Sequence, residues 1–279
     1  MAVLLGFFVA MAFGAGDFVG GRASMHASTS AVLVVSQSVG VVGSLVIALL
    51  VGARVAPHDL VFGACAGAAT AVGLGLLYRG LATAAMGVVA PVTAVVGAGV
   101  PVGWGLARGE RPSVLVLTGI VIAVAAGAVI AREPGARTER FAPGVVAAAA
   151  AGAALGSSLI LLSETSPASG MWPVFAARAA GFAVAIAGVA VFRIRHEIRF
   201  PRGHALFYAL VAGTLDVTAT SLLLLAVRKG LISVVAGVAA LAPGFTVLLA
   251  WAVLREHLRI EQRVAIAAAL VGLVLVATG

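Results

Sequence analysis

Charge is what this 279-residue chain has least of: Asp, Glu, Lys and Arg make up 10% of it, and 62% is hydrophobic. An ordinary soluble domain is about a quarter charged, so too little polar surface exists here to cover a water-soluble fold. A single cysteine, Cys65, lies in an apolar run; that excludes an intramolecular disulfide and any paired-cysteine metal site. All five histidines (His26, His58, His196, His204, His257) fall in or beside loops. HExxH and GxSxG are both missing, so neither a metal centre nor a hydrolase nucleophile is expected. GxxxxGK[ST] is absent too, so the chain has no P-loop for ATP. The expectation is no cofactor, no metal and no enzyme activity.

What is present is apolar sequence in long runs. A helix needs about 20 mostly apolar residues to cross the hydrocarbon, and ten segments qualify: 2–22, 31–51, 60–81, 86–107, 113–131, 142–162, 172–192, 204–226, 231–254 and 261–278. Helices are required, because lipid offers no partner to an open strand edge. The net charge of +8 resides in short basic clusters between these runs. Such clusters meet lipid headgroups and not nucleic acid, for which no basic, aromatic-bearing soluble domain is available. The first segment lacks a basic leader and runs apolar to residue 21, which predicts an uncleaved span.

Sliding the chain by 146 residues lays AMGVVAPV (85–92) on LISVVAGV (231–238) and GLARGERPS (105–113) on WAVLREHLR (251–259), with Glu110 on Glu256. Each glutamate closes a fourth helix of its half. Five helices is an odd number, so the second half crosses in the opposite sense to the first. The predicted fold class is therefore an all-α integral membrane protein with ten transmembrane helices as two inverted five-helix repeats, 1–131 and 142–279, joined by a linker at 132–141. In transporters of that architecture the substrate sits near the midplane between the halves.

The chain resembles the EamA-type transporters of the drug/metabolite transporter superfamily. The stretches that carry the likeness are FGAGDFVGGRAS (13–24), LYRGLATAAMGVVAPV (77–92), GLARGERPS (105–113), GMWPVFAAR (170–178) and the long segment 215–258. Their order and spacing along the whole chain are more specific than any one of them. The resemblance implies export or uptake of small metabolites, with substrates that differ widely between members.

Three charges fall inside the predicted spans: Asp17, Arg178 and Asp216. A charge at the centre of a span costs about 2.5–3.5 kcal/mol, so each needs a partner or a water-filled cavity. Let end A be the side holding both termini and end B the other. At about 1.5 Å per residue, Arg178 lies about 9 Å from end A and Asp216 about 15 Å. An arginine stem bridges that difference, which predicts an Arg178–Asp216 ion pair, either structural or part of a site. Asp17 lies about 7 Å from end B, at the level of Gln37, Tyr78 and Arg79, and these four form a candidate proton or substrate site. Other polar residues inside spans are candidates to line the cavity: Ser36, Thr70, Ser157, Ser158, Thr214, Thr218 and Thr246. Pro91, Pro101 and Pro243 are candidate helix kinks in the repeat-related fourth and ninth spans. Glu110 and Glu256, among arginines, are expected to form interfacial salt bridges.

Twelve arginines lie toward end B, against four arginines and a lysine toward end A. The positive-inside rule then puts end B in the cytoplasm, whereas the family resemblance implies cytoplasmic termini. Taken together, the expected function is secondary transport, with a proton as candidate co-substrate, of a small amphipathic metabolite or drug-like molecule. The expected setting is a multi-pass protein in the cell membrane, as monomer or homodimer. A channel or non-transporting sensor ranks second, and an intramembrane lipid-modifying enzyme third.

Overall fold

Every long apolar run forms a helix, because only intrahelical hydrogen bonds can satisfy a backbone in lipid. The computed structural model describes residues 1–83, 86–130, 141–193, 198–254 and 259–278, without the side chains of 78–83, 86–91, 141–145 and 191–193. In chain order the helices are α1 (Ala2–Ser24), α2 (Thr29–Val51), α3 (Pro57–Thr83), α4 (Met86–Ala107), α5 (Val114–Ile130), α6 (Phe141–Ser163), α7 (Trp172–Arg193), α8 (His204–Val227), α9 (Ile232–Ala239), α10 (Ala242–Leu254) and α11 (Ile260–Thr278), with a 3-10 turn at Pro167–Ser169. Eight described spans are long and apolar enough to cross a bilayer, α9 and α10 counting as one, and Val92–Ala107 and Val114–Ile130 are shorter apolar helices.

The ninth predicted span is the one that differs. It is broken at Ala240–Leu241, and Pro243 stands in the first turn of α10. A proline there has no intrahelical partner to lose, so Pro243 starts a new helix instead of kinking an old one. Gly244 N–H closes the corner on the Leu241 carbonyl at 2.9 Å.

Helix starts and stops follow local chemistry. Pro57 opens α3 at its first position. Gly52, at φ 64°, ends α2 in the left-handed conformation that glycine adopts without strain. Ser113 Oγ accepts the Val116 N–H and caps α5.

Packing is by close backbone approach. α1 lies against α8, α9 and α10; α3 against α6 and α7; α4 against α6; α5 against α11; α2 between α7 and α8. Gly63 and Gly67 face the α7 backbone at Pro173 and Ala177, and Gly152 and Gly156 face α4 at Thr93 and Gly97. No side chain would fit at these crossings, and van der Waals contact between bare backbones replaces the hydrophobic drive that lipid removes. Gly99 and Gly103, spaced in the same way, meet nothing within 4 Å among the described residues.

Loops gather at two ends. At end B, Ser28 exchanges two hydrogen bonds of 2.9 Å with the backbone of Arg199. At end A, the starts of α3 and α9 meet the α4–α5 and α6–α7 loops.

Candidate functional site

Arg178 on α7 reaches Asp216 on α8 across the face of α2. Its Nη1 donates to Asp216 Oδ2, and its Nη2 donates to Asp216 Oδ1 and to the Asp216 carbonyl, each at 3.2 Å, and to Thr220 Oγ1. Nη1 also approaches Gln37 Oε1 at 3.5 Å. This is the bidentate geometry that suits a guanidinium to a carboxylate. Gly40 on α2 makes it possible: a Cβ there would stand 3.2 Å from Arg178 Cδ. Arg178 is buried, at 8% exposure. The Asp216 side chain stays 31% accessible, so the carboxylate borders open space while the guanidinium lies behind it. Thr220 went unnoticed in the sequence; its signal was its place one helical turn after Asp216.

Asp17 is placed by the faces of α1. Phe8 and Met11 are exposed outward, and Asp17, nine residues after Phe8, is two and a half turns on and so opposite. Gly14, on one flank, packs on Phe245 and Thr246 of α10; Gly16 and Gly20, on the other, pack on Leu215 and Ala212 of α8. Asp17 therefore points inward, into the gap between α8 and α10, and yet it is solvent-accessible. Gly21, one turn toward end B, has nothing within 4 Å. Toward end A the same helix is shut: Gly6 abuts Val238 of α9, and Val9 and Ala10 are 0% exposed. The inward face of α1 is thus accessible at Asp17 and Gly21, toward end B, and sealed at Val9 and Ala10, toward end A. No hydrogen bond reaches Asp17 among the described residues.

Of the four residues expected to cluster around Asp17, Gln37 meets Arg178 instead. The Gln37 carbonyl turns to Arg178, because α2 packs on α7 and α8 and scarcely touches α1. The side chains of Tyr78 and Arg79 lie outside the described residues.

The expected cavity lining also divides. Thr214 and Thr218 are exposed on the face of α8 opposite Asp216, their hydroxyls donating to carbonyls one turn back. Thr218 instead lines an apolar outer groove of about 700 Å3 with Phe8, Leu222, Leu248 and Trp251. Thr246 donates to the Gly14 carbonyl at 3.0 Å, joining α10 to α1. Thr70 and Ser158 share a 2.7 Å bond between α3 and α6. Ser36 meets Gly213 at the α2–α8 crossing, and Ser157 is half-buried on α6. Pro101 is fully buried in α4, against Gly156, and the Pro91 side chain lies outside the described residues. Packing has claimed most of these hydroxyls, since a polar side chain in lipid satisfies itself on the nearest carbonyl.

End A is held by polar groups the sequence undervalued. The Glu110 carboxylate makes no salt bridge among the described residues; it accepts the N–H groups of Ile232 (2.6 Å) and Ser233 (3.1 Å), capping α9. Glu256 lies outside the described residues. Asp59, 3% exposed in the first turn of α3, accepts the Ser166 N–H at 3.1 Å and the Ser169 hydroxyl. Arg228 donates to the Gly170 and Ser166 carbonyls at 2.7 and 2.9 Å. Burial lowers its pKa from the ordinary guanidinium value, and the charge of Asp59 opposes that shift. Glu164 takes Arg108 at 2.8 Å and the Trp104 indole N–H at 3.3 Å.

Residues 142–278 match the EamA-like transporter family. No curated protein matches the chain. A protein known from its crystal structure superposes with a TM-score of 0.81, covering 99% of this chain and 96% of the other at 17% identity, a likeness of fold.

Proposed function

Since residues 142–278 belong to the EamA-like transporter family of the drug/metabolite transporter superfamily, we propose that this membrane transporter works as a proton-coupled secondary carrier of a small amphipathic molecule. Its two halves, 1–131 and 142–279, act as inverted five-helix repeats that expose the space around Asp17 to each end in turn. The observation that carries this reading is the asymmetry along α1. Val9 and Ala10 are sealed against their neighbours while Asp17 and Gly21 are accessible. A space open at one end and shut at the other suits alternating access better than a channel, which needs a continuous path.

Asp17 is the proposed proton carrier, because it is an accessible intramembrane carboxylate without a partner among the described residues. Asp216, held by Arg178, whose guanidinium also meets Gln37 and Thr220, is the fixed wall of the same site. The plasma membrane is the proposed location. Uptake in proteoliposomes with and without a pH gradient tests the coupling, using a metabolite panel. Gradient-driven accumulation is expected for the wild type and is lost in Asp17→Asn. Transport indifferent to the gradient and unchanged by Asp17→Asn ends the coupling proposal.

A further inference from the structure

The outer face of α1 carries a feature that transport does not use. The apolar groove there is walled by α1, α8 and α10 and has a volume of about 700 Å3. Thr218 supplies the one hydroxyl in its lining, and that hydroxyl is spent on the Thr214 carbonyl. Ala12, 7% exposed, lies on the floor, while Phe8, Met11 and Trp251, 39%, 40% and 51% exposed, stand along the rims. Close helix association in lipid needs small residues that let backbones approach. A trough between bulky side chains suits a single flexible hydrocarbon chain instead.

The faces that wall this trough continue to end B, where they meet a cation. α1 and α8 run antiparallel, Gly16 packing on Leu215 and Gly20 on Ala212. Seven residues make about two helical turns, so Arg22 shares the face of Ala15, and Tyr208 shares the face of Leu215. The Arg22 guanidinium stands 5.7 Å from the centre of the Tyr208 ring, at the end-B mouth of the groove. Among the described residues it makes no hydrogen bond or ion pair. Contact with a ring face leaves the N–H edges of a guanidinium free to donate. From Arg22 to Ala12 is about 15 Å along α1, the hydrocarbon depth of one leaflet. Trp251, in the last turn of α10, puts a second aromatic at the same level. Of the described acids toward that end, Asp17 faces the opposite side of α1, and Glu261 lies 3.8 Å from Arg259.

We propose that this groove holds an anionic phospholipid of the end-B leaflet, its phosphate on Arg22 and one acyl chain along α1 between α8 and α10. A cation at headgroup level above an apolar trough one leaflet deep complements that molecule in charge, polarity and length. Arg22 donates paired hydrogen bonds to phosphate oxygens, and basic pockets between spans are known receptors for anionic headgroups. The bound lipid bridges three helices from outside, so the site stands apart from the inward face of α1 and from the transport reading.

The test is quenching of tryptophan fluorescence by brominated lipids, with the purified full chain in phosphatidylcholine vesicles. Trp104 and Trp172 lie at end A, bonded to Glu164 and to the Ala53 carbonyl, so the signal of Trp251 is read as the difference from Trp251→Phe. Brominated phosphatidylglycerol is expected to quench it at about fivefold lower mole fraction than brominated phosphatidylcholine. That preference is lost in Arg22→Gln and kept in Arg22→Lys. Ala15→Phe, which fills the trough, brings phosphatidylglycerol down to the level of phosphatidylcholine. Equal quenching by the two lipids in the unaltered chain overturns the proposal. A preference that survives Arg22→Gln does the same, because it belongs to the diffuse charge of end B. Should Arg22→Gln fail to fold, Ala15→Phe decides, and an unchanged preference there is equally fatal. A chain that dimerises with Trp251 shielded from both lipids has a second copy in the groove, which also excludes the lipid.

Discussion

Asp17 and Asp216 carry the same functional group on neighbouring helices, and their surroundings assign them different work. Asp216 is tied to a buried guanidinium, and removing it strands that charge. Breaking a buried pair costs about 3–5 kcal/mol, so Asp216→Asn is expected to lower the unfolding temperature in detergent markedly. Asp17 has no partner to strand among the described residues, and Asp17→Asn is expected to change stability by less than about 1 kcal/mol while abolishing coupled transport. Equal thermal losses in the two variants would contradict this division. The Arg178–Asp216 contact was foreseeable because depth along a helix follows from residue count, and both residues lie at similar depth. The partner of Gln37 was not, because equal depth does not say which helix faces which: α2 turned toward α7 and away from α1.

At the scale of elements, the break between α9 and α10 and the cap on α9 belong together. α9 has eight residues, too few to be stable alone, and it begins beside a carboxylate from the other half of the chain. Glu110→Ala removes both acceptors for the Ile232 and Ser233 N–H groups, at an expected cost of about 1–2 kcal/mol. Hydrogen exchange of Ile232 to Val235 should speed up first, and Glu110→Gln should recover part of the protection. Unchanged exchange in Glu110→Ala would remove the cap from the list of contacts that hold end A. The sequence misled here because arginines flank Glu110 on both sides, and a local charge pattern cannot reveal a helix start 122 residues away.

For the whole molecule, the decisive feature is which end is open. In a Cys65→Ser background, Gly21→Cys should react rapidly with a membrane-impermeant maleimide added at end B, and Val9→Cys should be protected. Gly21 has open space around it and Val9 has none. Comparable rates at the two positions would refute a space closed at end A. Labelling of sealed vesicles of known sidedness also fixes the orientation, on which the distribution of arginines and the family resemblance disagree.

The sequence by itself determined that this chain lives in a bilayer, as helices of nearly the observed extents, because length and hydropathy alone settle whether a segment can cross lipid. It also determined which charges would need partners, since each is costly in hydrocarbon wherever it lies. Tertiary structure alone decided which of them found one. Rotation of each helix about its axis is set by contacts with its neighbours, and those contacts turned Thr214 and Thr218 outward, spent Thr246 and Ser158 on helix crossings, closed Arg178 behind Asp216, and left the Asp17 carboxylate facing open space.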